Sequence, residues 1–435
     1  MHKAQHSHIV GVGGIGMSAL AQVLLARGER VTGSDRSIDA GQTSGILNVL
    51  AAAGVELTPQ DGSAITPATA CVVRSTAIEP DNPDLLAAAA HGVPVRHRSD
   101  VLAACLAGKQ VVAVTGTSGK STVTAMIGWV MQALGLDPTV VNGAILPVWR
   151  SDRAVGNVRW GRSAWWVIEA DESDRTLNAY AFDWSVVTNV SADHFGVDEA
   201  RALFQRFAAR ARQGGVSAVD APELLTGFEP ELLDGASRFT HAGIRFHLPM
   251  PGYHNATNAW LSVLLMERMG MALSEVAVAL ERFPGLHRRL ELVGTARGVR
   301  VFDDYAHNPA KITAAWHAVR RTGGRVLGVW RPHGYGPLRL LMEPLAAAFS
   351  ELNAGPDELV VLPVYDVGGT ADRSVCSEML VERMQAAGSH TARVLSPADV
   401  PAWMASQARQ GDTILIMGAR DPDLPGLAAR ALAAL

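Results

Sequence analysis

Short runs of apolar, often β-branched residues alternate along this chain with longer stretches rich in alanine and leucine. A short continuous apolar run suits a strand buried on both faces, and a longer alanine–leucine stretch suits a helix. The alternation predicts an α/β fold of parallel sheets with helices on both faces. Strands are expected at 8–12, 30–33, 70–74, 110–115, 165–168, 184–188, 299–302, 325–330, 358–363 and 413–417. Helices are expected at 17–27, 100–106, 121–134 and 255–270.

No internal repeat or low-complexity tract interrupts this pattern. At roughly 100–200 residues per domain, a chain of 435 residues implies several domains. Breaks in the pattern suggest 1–107, 108–290 and 291–435. Hydrophobic residues make up 48% and charged residues 18%, which suits a globular chain. The net charge of −4 gives no basic field for nucleic acid. Cys71, Cys105 and Cys376 lie far apart, without zinc-ligand or redox spacing. The first residues are polar and lack a signal-peptide layout, and no apolar run is long enough to span a bilayer. The expectation is a cytoplasmic protein without nucleic-acid or membrane partners.

Two glycine loops follow predicted strands. The second, Thr115-Gly116-Thr117-Ser118-Gly119-Lys120-Ser121-Thr122, joins a strand to a helix. Glycines let backbone N–H groups curl around phosphate oxygens, and the helix N-terminus adds a favourable dipole. Lys120 is expected at the β/γ-phosphates and the Ser121 hydroxyl at Mg²⁺. The full pattern has glycine where this chain has Val114, so the loop is a shortened variant, Gly-x-x-Gly-Lys-Ser. Downstream, Glu169 and His194 each stand just after an apolar strand. Ligands gather at the carboxyl ends of strands in open α/β sheets, and Mg²⁺ prefers oxygen donors.

The first loop, Gly11-Val12-Gly13-Gly14-Ile15-Gly16, fits Gly-x-Gly-x-x-Gly, with Asp35 some twenty residues on. This spacing admits an NAD enzyme. The same strand–loop–helix also holds the diphosphate of a UDP-sugar. A dehydrogenase leaves the Lys120 loop and the acidic cluster without a role. A nucleotide-sensing module without catalysis is the third reading, and the intact Lys120, Glu169 and His194 argue against it.

Taken together the segments resemble the Mur ligase family. The likeness runs through Gly11–Ser18, Ser75-Thr76-Ala77-Ile78 with Asp81-Asn82-Pro83, Thr115–Thr122, Val141-Asn142-Gly143, Glu169–Ser173 and Thr188–His194. It continues through His254-Asn255 with Asn258, Arg288-Arg289, Asp303–Pro309 and Pro332-His333. The resemblance implies three domains: a Rossmann-like N-terminal UDP-sugar domain, a central P-loop ATPase domain and a Rossmann-like C-terminal domain. It implies an ATP-dependent amide ligase that activates a carboxylate as an acyl phosphate. The branch most resembled adds L-alanine to UDP-N-acetylmuramate in peptidoglycan synthesis; a paralogue using a peptide acceptor is the alternative.

By the same resemblance, Gly116, Thr117, Ser118, Gly119, Lys120, Ser121 and Thr122 cradle ATP, with Asn255, Asn258, Arg289 and Asp304. Lys120, Glu169, His194 and Arg289 are the catalytic set. Ser121, Glu169 and His194 are ligands for two Mg²⁺ sites. Gly13, Gly14, Ile15, Gly16, Asp35, Ser75, Thr76 and Ala77 line the UDP-sugar site, and His307 and His333 the acceptor pocket. Asn255 and Asn258 also suit a helix N-cap and first turn, and Asp304 and His307 a loop turn. Several Mur ligases use a carbamylated lysine in the central domain. No lysine lies between Lys120 and Lys311 here, and the alanine-adding branch does without one. That branch has Gly-His-His where this chain has Ala306-His307-Asn308, and arginines at the positions of Gly334 and Pro337. Arg331 and Arg339 are the nearby substitutes.

Overall fold

The computed structural model describes residues 5–41, 45–172, 176–191, 196–366, 372–389 and 391–435. The chain forms two compact units. One comprises Met1–Glu229, Thr240–Phe246 and Thr257–Pro284, the other Pro230–Phe239, His247–Ala256 and Gly285–Leu435.

The first unit holds two sheets. The earlier one contains β1 (His6–Val10), β2 (Arg30–Ser34), β3 (Glu56–Thr58), β4 (Cys71–Arg74) and β5 (Val95–His97). All are parallel, in the order β3-β2-β1-β4-β5. The chain therefore reverses direction of travel between β1 and β4, where such sheets open a ligand crevice. β1 begins and ends two residues before the expected 8–12. Gly11 turns at φ +73°, and the N–H groups of Gly11 and Val12 both donate to the Ser34 carbonyl (2.8 and 3.0 Å). Two donors on one acceptor end the ladder. Beneath the crevice lies a buried polar network. His8 Nε2 meets Asp84 Oδ2 at 3.3 Å, and its Nδ1 meets Thr32 Oγ1 at 2.8 Å. Ser34 Oγ and the Gly62 N–H also donate to Asp84 (2.5 and 2.9 Å). Burial opposes ionisation of Asp84, but His8 and Ser34 hold its carboxyl below the ordinary range.

The next sheet contains β6 (Gln110–Thr115), β7 (Thr139–Val141), β8 (Val158–Arg159), β9 (Trp165–Glu169), β10 (Trp184–Val187) and β11 (Gly214–Ser217). Its order is β11-β10-β6-β9-β7-β8, parallel except for β8. β6 is buried from Val111 to Thr115, as its unbroken apolar run predicts. The helix Lys120–Ala133 packs a largely buried face beside it.

Three short strands follow in sequence: β12 (Glu231–Leu233), β13 (Ala236–His241) and β14 (Ile244–Leu248). They have no counterpart among the expected elements, because each is short and half-exposed and lacks a continuous apolar run.

The sheet of the second unit contains β15 (Glu291–Ala296), β16 (Val299–Asp304), β17 (Val326–Arg331), β18 (Glu358–Val361), β19 (Ala392–Val394) and β20 (Thr413–Gly418). The order is β15-β16-β20-β17-β18-β19, with only β15 antiparallel to its neighbour. Trp316, Trp330, Phe349 and Met384 fill the core on one face. Loops from β16, β20 and β17 emerge side by side. Among the described residues no helix is long and apolar enough to cross a membrane.

Candidate active site

After β6 the chain turns at Gly116 (φ +129°) and Gly119 (φ +84°), then enters the helix at Lys120. A Cβ at Gly116 would overlap Thr188 Oγ1, and one at Gly119 the Asn258 carboxamide. Both positions therefore need glycine twice over, for conformation and for space. The loop leans on the end of β10. Ser118 N–H donates to Asn189 Oδ1 (3.0 Å), while Asn189 Nδ2 and Thr188 Oγ1 donate to the Ser118 carbonyl (2.9 and 2.6 Å). Thr117 N–H donates to the Asn189 carbonyl (3.2 Å). Among the described residues no side chain caps the helix at Gly119, so its first-turn amides and the favourable end of the dipole could receive an anion. Ser121 and Thr122 are buried behind the loop.

Lys120 sits in a carboxylate cluster. Its Nζ donates to Glu172 Oε2 (2.7 Å) and to the Gly116 carbonyl (2.9 Å), and Asp171 Oδ1 lies 3.8 Å away. Burial works against the ammonium, but Glu172, Asp171 and Glu169 together hold its pKa above the ordinary lysine value. Glu172 is 3% exposed. Burial pushes its carboxyl up to about 7 against the pull of Lys120, and Asp171 pushes the same way as burial. The sequence alone gives neither residue a role. The signal was the acidic run after Glu169, but only the sheet order shows which members face the lysine.

Glu169 closes β9, next to β6. The Gly143 N–H donates to its Oε2 (2.8 Å), and a Cβ at Gly143 would lie 2.6 Å from Oε1. Asn142 Nδ2 donates to the Ser121 carbonyl (3.1 Å), while its Oδ1 is buried with no hydrogen-bond partner among the described residues. Asn142 Oδ1, the Glu169 carboxylate and the Ser121 hydroxyl are oxygen donors of the kind a hard cation takes. Among the described residues, no three His, Cys, Asp or Glu side chains converge as a metal cage. His194 lies outside the described residues.

Asn255 and Asn258 stand on the helix Tyr253–Arg268. Asn255 Nδ2 donates to the Pro251 carbonyl (2.8 Å), holding the start of its own helix. Asn258 rests on Gly119 and so belongs to the loop.

In the second unit the adjacent arginines differ. Arg288 pairs with Asp303 (3.3 Å) and donates to the carbonyls of Gly418 (2.6 Å) and Asp421 (3.2 Å), a structural role. Arg289 lies over the Tyr305 ring at 5.0 Å. Asp304 accepts from the N–H groups of Leu290 and Ala306 (both 2.7 Å), the loop-turn role. Burial pushes its carboxyl above the ordinary range, against Arg289. The His307 and His333 rings meet edge to face at 5.0 Å, so the two histidines expected at the acceptor pocket are neighbours.

At the first loop, Gly13 N–H donates to Asp35 Oδ2 (2.9 Å), and Ser37 donates its N–H (3.1 Å) and Oγ (2.7 Å) to Oδ1. Gly14 is the N-cap of the helix Ile15–Ala26, with no side-chain cap. The turn with Ser75, Thr76 and Ala77 follows β4, across the crevice, and Ile78 from the same turn reaches Gly11. Arg98 was not singled out from the sequence, yet its Nη1 lies 2.7 Å from where a Cβ on Gly16 would stand.

Family models match three stretches: "Mur ligase family, catalytic domain" over residues 6–110, "Mur ligase middle domain" over 114–201, and "Mur ligase, glutamate ligase domain" over 288–420. A UDP-N-acetylmuramate–L-alanine ligase of Rhizobium meliloti is 35% identical, over 95% of this chain and 93% of its own. The enzyme of that name from Rhizobium etli is 34% identical over the same shares. Among solved structures, the UDP-N-acetylmuramate–alanine ligase of Thermotoga maritima aligns at a TM-score of 0.80 with 25% identity, over 98% of both chains. A murein peptide ligase from Psychrobacter arcticus shares the fold at a TM-score of 0.68 and 21% identity, over 99% and 98% of the two chains. With its loops at the strand ends and this likeness along nearly all its length, the chain belongs to the Mur ligase family.

Proposed function

We propose that this chain is an ATP-dependent, ADP-forming ligase that joins L-alanine to the carboxylate of UDP-N-acetylmuramate in peptidoglycan synthesis. The relatives carrying that activity in their names align over 95% of the chain. The observation that carries the chemistry is Lys120, set on an uncapped helix start and ringed by Glu169, Asp171 and Glu172.

The donor carboxylate attacks the γ-phosphorus of ATP, the bond to the bridging oxygen breaks, and ADP leaves with that oxygen. The amine of the acceptor then attacks the acyl-phosphate carbonyl, loses a proton, and expels inorganic phosphate. Negative charge gathers on the transferring group, and Lys120 with Arg289 offsets it. Mg²⁺ supplies further positive charge to the phosphates when bound. Ser121, Glu169 and His194 are the residues that would hold it, at two sites. Asn255, Asn258 and Asp304 are proposed for the adenosine side of ATP. Gly13 to Gly16, Asp35 and Ser75 to Ala77 are proposed for the UDP-sugar. A cytoplasmic location follows from the need for ATP.

One observation favours a second acceptor. Gly334 and Pro337 stand where the alanine-adding branch has arginines, and Arg331 is committed to Asp421 (2.5 Å) and to the Pro363 carbonyl (3.2 Å). ADP release should be measured with UDP-N-acetylmuramate and a panel of amino acids and peptides. L-Alanine should give the highest kcat/KM; preference for a tripeptide would move the assignment to peptide recycling. Lys120→Ala should lower kcat at least about 100-fold with an unchanged circular-dichroism spectrum. Full activity in that variant would end the proposal.

A further inference from the structure

We propose that Asn157 is a positioning residue that bridges the helix after the first glycine loop to the corner holding Ser121 and Glu169, and so sets where the donor carboxylate stands relative to the nucleotide. This rests on the reading of the first loop as the donor site and of the second as the nucleotide site.

The two loops leave separate sheets, with no strand pairing between them among the described residues. Their spacing therefore falls to side chains. Asn157 directly precedes β8, is fully buried, and commits its whole carboxamide to the helix Ile15–Ala26. Its Nδ2 donates to the Ile15 carbonyl (2.8 Å) and to Ser18 Oγ (3.1 Å), and its Oδ1 accepts from Gln22 Nε2 (2.9 Å). Ser18 and Gln22 stand four residues apart, on one face of the helix. Gln22 Oε1 also accepts from the Val155 N–H (3.0 Å). The grip begins at Ile15, the first helical residue after Gly14, so it holds the loop itself and not a distant turn.

The backbone of the same asparagine serves the other side. Its carbonyl accepts from the Asn142 N–H (2.9 Å), one step beyond the Val141–Val158 pair that joins β7 to β8. Asn142, also buried, donates from Nδ2 to the Ser121 carbonyl (3.1 Å), and the next N–H, that of Gly143, donates to Glu169 Oε2 (2.8 Å). Three hydrogen bonds thus run from Ile15 to Ser121 through two buried asparagines. Buried amides are costly to leave unpaired, so a satisfied chain of them holds one arrangement. Attack of a carboxylate on phosphorus needs an approach of about 3–3.5 Å, and a misplacement of about 1 Å costs on the order of 100-fold. Apolar packing would join the two sheets without setting that register.

Two measurements on the full chain test this. One is single-turnover ADP formation with UDP-N-acetylmuramate, ATP and the preferred acceptor. The other is calorimetric titration with UDP-N-acetylmuramate or a non-hydrolysable ATP analogue, each alone. Asn157→Ala should slow ADP formation at least about tenfold and change both dissociation constants less than about twofold. Gln22→Met, which leaves the Asn157 donors in place, should slow it about threefold. The double variant should be no slower than Asn157→Ala alone. If Asn157→Ala fails to fold, Gln22→Met decides by the same split between rate and affinity. A fall in either affinity as large as the fall in rate, losses that add in the double variant, or an unchanged rate would each overturn the assignment. If the unaltered chain formed no ADP with any acceptor, the ligase reading itself would fall, and the bridge with it.

Discussion

Glu172 and Lys120 set the electrostatics at the residue scale. A carboxyl whose pKa is about 7 in the folded chain and near 4.5 when unfolded binds its proton more tightly when folded. The stability it contributes is complete below the unfolded value and lost as pH rises through 7. Between pH 6 and 8 the native chain should lose on the order of 1 kcal/mol from this group. Thermal melts of the chain without nucleotide should therefore fall more steeply with pH than those of Glu172→Gln; parallel curves would contradict the prediction. Asp84 behaves oppositely, since its carboxyl is held low. Its contribution is present above the unfolded value and lost as pH falls through the folded one. Asp84→Ala should cost about 3–5 kcal/mol, because it leaves His8, the Ser34 hydroxyl and the Gly62 N–H without their acceptor. Denaturant unfolding at neutral pH measures this. Lys120 and Glu169 were legible in the sequence because Lys120 ends the glycine loop after one apolar strand and Glu169 stands at the end of another. Glu172 was visible only as one acid among several. Arg288 and Arg289 are adjacent, and nothing in their order says which one the sheet holds; only the carbonyls of Gly418 and Asp421 decide it.

At the scale of elements, the Gly116–Gly119 loop takes its shape from a strand seventy residues downstream. Asn189 gives Ser118 both an acceptor and a donor, and Thr188 adds a second donor. Asn189→Ala should raise the KM for ATP about tenfold, with the KM for the UDP-sugar changed less than twofold. The loss reflects unmade hydrogen bonds of about 1–3 kcal/mol. Steady-state kinetics with each substrate varied in turn checks this, and equal rises in both constants would point to general unfolding instead. Such support was hidden from a linear reading. β10 flanks β6 only because the sheet runs β10-β6-β9, and periodicity does not encode strand order. The same holds for β1, whose end depends on the Ser34 carbonyl of its neighbour.

At the scale of the whole molecule, the α/β class and the parallel sheets were legible, because buried strands make unbroken apolar runs. The hairpin strands between 231 and 248 were not, since they are short and half-exposed. Acceptor choice falls to the second unit on the present proposal. There Arg339 pairs with Asp372 (2.9 Å) at the surface, and Arg331 is locked beside Tyr365. That leaves His307 and His333 as the polar pair at the strand ends. His333→Ala should raise the KM for the amino acid at least tenfold and leave those for ATP and the UDP-sugar within twofold. A rise confined to the ATP constant would place the pair elsewhere in the reaction.

On the proposed function, the bonds from Lys120 to Glu172 and to the Gly116 carbonyl make nucleotide arrival an exchange of partners. A triphosphate must draw the ammonium off contacts the loop already supplies. A diphosphate, lacking the outermost group, reaches less of it. Once the terminal phosphoryl had moved to the sugar acid, the lysine would return to its own carboxylate, an internal competitor for the spent nucleotide.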